Sequence, residues 1–84
     1  MVDAAEIEAS LLRFVHREIF APEAKVTAET DLLAAGFDSL SLVRMLLFVE
    51  RTYGLWIPES EITSAALNNL RSLAATIFRL LHES

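Results

Sequence analysis

Residues 36–41 read Gly-Phe-Asp-Ser-Leu-Ser, placing an acid and a hydroxyl where a glycine-broken loop gives way to a strongly helical run. Gly36 lets the backbone turn, and the free N–H groups and dipole at the start of the following helix favour a phosphate carried on Ser39. A phosphorylated or phosphodiester-modified serine is the chemistry that suits such a position. Serine and aspartate are also favoured helix caps, and Asp38 could serve as one alone, so capping and modification are both open to this pair.

Hydrolysis fits the chain poorly. His16 and His82 could be set beside Asp38 and Ser39 as a triad, but there is no G-x-S-x-G elbow and no evident oxyanion arrangement. The chain is also too short to shield a triad pocket. His16 is expected on a solvated helix face and His82 near a terminus. Two histidines so far apart form no metal site, and Glu59 and Glu61 suit a helix dipole better than a calcium loop. With no cysteine, disulfides, thiolate metal sites and a cysteine nucleophile are excluded.

The elements that must position Ser39 follow from hydrophobic periodicity. Asp3 caps a first helix, with Glu6 three residues on as in a capping box and Val2 and Ile7 spaced as a hydrophobic staple. Ile7, Leu11, Phe14, Val15 and Ile19 form its apolar stripe, and it should stop before Pro22. Residues 21–38 form a long connection anchored by Leu32, Leu33 and Phe37, with a helical turn around Asp31 to Ala35. A second helix spans Ser39 to Tyr53 and ends at Gly54, with Leu42, Val43, Met45, Leu46, Val49 and Tyr53 turned to the core. Leu40, Arg44, Leu47 and Arg51 follow a second, mixed apolar and basic line, with Phe48 beside it.

Ile57 to Ile62 suggests a short third helix with Pro58 near its first turn. A fourth begins after Asn68 or Asn69 and buries Leu70, Leu73, Ala74, Ile77 and Leu81. Trp56 could anchor the loop after helix two or border a partner surface, and the anchor is the favoured reading. The expected fold is all-α: a small four-helix bundle of three longer helices and one short one, making a single domain over residues 1–84.

The 84 residues can bury only about 60% of their unfolded surface, enough for a core but not for a deep substrate cavity. The longest uninterrupted apolar stretch, Met45 to Val49, is far short of a membrane span. A net charge of -5, with Lys25 the only lysine, argues against a nucleic-acid partner. The acidic N-terminus lacks the basic and apolar blocks of a secretory signal, so a cytoplasmic protein is expected.

Gly-Phe-Asp-Ser-Leu-Ser, Thr30-Asp31-Leu32-Leu33 upstream and Tyr53-Gly54-Leu55-Trp56-Ile57-Pro58 downstream together resemble the acyl and peptidyl carrier proteins over nearly the whole chain. The resemblance implies a noncatalytic protein whose Ser39 is joined by a phosphodiester to 4'-phosphopantetheine donated by coenzyme A. The cofactor's thiol then carries an acyl or aminoacyl thioester. Asp38 would help a phosphopantetheinyl transferase orient Ser39. The second-helix line of Leu40, Arg44, Leu47 and Arg51, with Phe48, would meet partner enzymes.

Those partners would be the transferase, an adenylating or acyl-loading enzyme, and downstream tailoring or condensing enzymes, all acting on a monomer. Fatty-acid carriers usually present acids along this helix. Arg44 and Arg51 depart from that habit, which favours a stand-alone peptidyl-type carrier of a natural-product or amino-acid-loading pathway, with aminoacyl or small acyl cargo. A polyketide or fatty-acid carrier is the nearest alternative. A helical adaptor that needs no modification is a more remote one.

Overall fold

A computed structural model, describing residues 2–83, has three α-helices and one 3-10 turn: α1 (Ala4–Glu18), α2 (Ser39–Tyr53), the turn Glu59–Glu61, and α3 (Leu70–Glu83). The expected all-α bundle is present, and its short helix takes the form of the 3-10 turn. α1 packs against both α2 and α3. One core joins the stripes of all three helices to Val26, Ala28, Leu32, Phe37 and Ile57 from the connections.

Local chemistry sets the helix limits. The Asp3 carboxylate accepts from the Glu6 N–H at 2.8 Å, and Val2 packs against the core that contains Ile7. α1 ends as the N–H groups of Ile19 and Phe20 both bond the Val15 carbonyl, ahead of Pro22. α2 closes at Gly54, whose φ of 67° is left-handed and open to glycine at little cost. Asn69, rather than Asn68, caps α3: its Oδ1 accepts from the Ser72 N–H at 2.8 Å.

The long connection is fastened at several points. The Leu32 N–H donates to the Asn68 carbonyl (3.1 Å), and the Arg71 N–H donates to the Ala28 carbonyl (3.0 Å), stitching the connection to the start of α3. Thr27 and Thr30 satisfy each other's backbone and hydroxyl groups. Asp31 accepts from the Ala34 N–H and opens the expected helical turn, which closes with the Phe37 N–H on the Leu32 carbonyl. His16, expected in solvent, is half-buried: its Nε2–H donates to the Val26 carbonyl at 2.7 Å and ties the connection to α1. A carbonyl can only accept, so this contact fixes the tautomer.

Three apolar side chains expected inside lie outside. Val43 is 49% exposed because it falls about 100° around α2 from the centre of the buried arc formed by Met45, Leu46 and Val49. Leu33 is 68% exposed, since Leu32 and Phe37 fill the inward positions of their turn. Trp56 is 54% exposed, while its neighbours Leu55 and Ile57 pack on or into the core.

Glu61 and Glu83 both pair with Arg79, holding the 3-10 turn to the last turns of α3. These carboxylates raise the Arg79 guanidinium above its ordinary value, Glu83 contributing most. Ile77→Ala should cost about 2–5 kcal/mol in urea unfolding, because Ile77 is completely enclosed. Val43→Ala should shift stability by no more than about 0.5 kcal/mol, as expected for an exposed position.

Candidate functional site

The site begins at Gly36, whose φ of 99° is accessible to glycine and strained for other residues. No atom would meet a Cβ there, so the demand is conformational rather than one of space. Phe37 then turns into the core, and Asp38 caps α2. The Asp38 Oδ1 accepts from the Ser41 N–H at 2.9 Å, while its carbonyl accepts from the Leu42 N–H at 2.9 Å. Ser39 is the first residue of α2 and is exposed.

Alternation between buried and exposed residues is what presents the hydroxyl. Leu32, Phe37, Met45 and Leu46 fix the turn and the first turns of α2 from within, leaving Asp38, Ser39 and Leu40 at the surface. The first N–H groups of a helix lack intrahelical acceptors. Asp38 takes that of Ser41, so the positive end of α2 lies beside Ser39 and favours a negatively charged substituent. An open groove of about 290 Å³ adjoins the hydroxyl, lined by Leu33, Phe37, Leu42 and Leu67 as well as Asp38 and Ser39.

The residues singled out from the sequence separate into groups. Asp38, Ser39 and Leu40 come together at the start of α2. Leu47 is exposed farther along the same helix, as is Arg51. Arg44 reaches α1 and pairs with Glu18 at 3.0 Å. Phe48 is half-buried and stacks on Phe14, with centroids 4.5 Å apart. The groove residues Leu33 and Leu67 escaped sequence reasoning as site residues, because only the fold brings residue 67 to Ser39.

Both histidines are engaged elsewhere than at Ser39. His16 donates to the Val26 carbonyl, and His82 packs against Phe78 with ring centroids 4.2 Å apart. Among the described residues, no group of three His, Cys, Asp or Glu side chains could hold a metal ion. No helix of the described residues is long and apolar enough to cross a membrane.

The Asp38 carboxyl is held below the ordinary aspartate range, first by the Ser41 backbone N–H and then by the Ser41 side chain. A folded-state pKa below the unfolded one stabilises the fold at pH above the unfolded value, and that contribution is lost as pH falls through the folded value. The urea midpoint of the wild type should therefore exceed that of Asp38→Asn by a margin that is constant near neutrality and shrinks across this acid window. A margin independent of pH would show that ionised Asp38 has no preferred role as the cap.

A search among curated proteins returned no match. The family described as "Phosphopantetheine attachment site" matches residues 9–77, a span running from the first half of α1 into α3 that includes Asp38 and Ser39. The chain belongs to the phosphopantetheine-binding carrier family, whose members are noncatalytic and bear covalent 4'-phosphopantetheine.

Proposed function

We propose that Ser39 is the attachment residue and that this single domain is a discrete, monomeric, cytoplasmic carrier of aminoacyl or small acyl groups in a natural-product or amino-acid-loading pathway. The observation that carries the site is the exposed Ser39 hydroxyl at the positive end of α2, immediately after the Asp38 cap. The residues present fit the group. The hydroxyl is open to a large enzyme, and the N-terminal amides favour a phosphodiester. The groove of Leu33, Phe37, Leu42 and Leu67 offers an apolar bed beside it. When bound, the cofactor supplies a thiol that holds cargo as a thioester.

Asp38 has two roles in this reading. Its Oδ1 on the Ser41 N–H rigidifies the turn that presents Ser39, and its exposed carboxylate offers the transferase a fixed charge to read. The α2 surface of Leu40, Arg44, Leu47 and Arg51 then meets the loading, tailoring and condensing enzymes, with Phe48 supporting it from the α1 side through Phe14. Tethering raises the effective concentration of cargo for each enzyme in turn, while modest interfaces allow release. The preference for aminoacyl over fatty-acyl cargo rests on the arginines of α2.

Intact-mass measurement after incubation with coenzyme A, magnesium and a promiscuous phosphopantetheinyl transferase should show one added phosphopantetheine on wild type and on Ser41→Ala, and none on Ser39→Ala. Asp38→Ala should be modified more slowly while remaining folded. Modification of Ser39→Ala, or none of the folded wild type beside a working control carrier, would overturn the assignment. The second outcome would favour the unmodified helical adaptor.

A further inference from the structure

The net charge of -5 is unevenly spread over the chain. Phe14 stacks on Phe48, Glu18 pairs with Arg44, and Arg13 shares a groove with Thr52 and Tyr53, so α1 and α2 run side by side in opposite directions. Four of the chain's seven basic residues, Arg13, Arg17, Arg44 and Arg51, lie exposed on these two helices, against four of its twelve acids, Glu6, Glu8, Glu18 and Glu50. Arg71 and Arg79, by contrast, are each paired with two carboxylates elsewhere.

On α2 the exposed leucines and Val43 form a ridge, Leu40–Val43–Leu47, beginning one residue after Ser39. At about 100° per residue, Arg44 and Arg51 flank this ridge on the side of Phe48 and α1, and Glu50 lies on the other. Four of the five large exposed apolar side chains of the described residues fall between positions 33 and 47, a concentration that marks an interaction surface. The cationic edge beside the ridge says what covers it.

We propose that the ridge and its arginine edge dock one kind of partner surface, an apolar face rimmed by carboxylates, and that Glu18 competes with that rim for Arg44. This rests on the carrier reading and specifies the charge of the enzyme face that the carrier meets. Glu18 lies 3.2 Å from Arg17 and 3.0 Å from Arg44, so it partly neutralises the edge in the free protein. Arg51 has no ion-pair partner among the described residues and meets an incoming carboxylate without breaking an existing contact. An acidic partner is attracted to this strip despite repulsion from the domain as a whole, which orients its approach along α2.

The test titrates the unmodified full chain with two helical peptides while following backbone amide shifts. Both present a leucine face, flanked by glutamates in one and by lysines in the other. The glutamate peptide should shift Leu40, Val43, Leu47 and Arg51 and bind more tightly at this ridge than the lysine peptide, against the net charge of the chain. Arg51→Glu should weaken its binding by roughly threefold or more, and Glu18→Gln should strengthen it by a comparable factor, the range expected of exposed ion pairs.

Preference for the lysine peptide at the ridge, binding of neither, or unchanged affinity in both variants would overturn the proposal. So would ridge shifts that grow with carrier concentration alone, which would make a second copy the occupant. Because the readout needs no modification of Ser39, its failure and that of the attachment assignment are separately visible.

Discussion

Two backbone hydrogen bonds that cross from the long connection to the start of α3, Leu32 to Asn68 and Arg71 to Ala28, hold the geometry on which the site depends. Without them, residues 21–38 would be a loop whose closure places Ser39 only on average. With them, and with Leu32 and Phe37 enclosed in the core, the turn at Gly36 delivers Asp38 to one place at the head of α2. Backbone bonds tolerate change in the side chains above them. Leu33 and Ala34 are thus free to face outward while the turn beneath them stays fixed.

The same division of labour runs through α2. Its inner arc, Met45, Leu46 and Val49, is enclosed and sets the helix against α1, while its outer arc faces solvent. Phe48 stands at the boundary, where its stacking on Phe14 fixes the roll of α2 about its own axis. That roll decides which side chains accompany Ser39 at the surface. A carrier that must be read by more than one enzyme needs this constancy more than it needs an interior site.

Much of this was legible in the sequence because it is local. Asp3, Asp38 and Gly54 act within a few residues of themselves, and the stripes of α1 and α3 obey a simple period. Residues whose roles are settled by distant partners were less legible. His16 gave no sign of the Val26 carbonyl ten residues away, and Leu67 gave none of Ser39. Leu33, Val43 and Trp56 misled for a different reason. Apolar type alone does not dictate burial, because in a domain with this much surface for its volume some apolar side chains must remain outside.

Trp56 gives that last point a practical edge. It is the chain's single tryptophan and is 54% exposed in the folded state. Its side chain already meets water in the folded state, so its emission is expected to report loss of the core less strongly than that of an enclosed indole. The same exposure makes it a native fluorophore for events at the surface, so that contact of another molecule with the loop after α2 registers optically without a label.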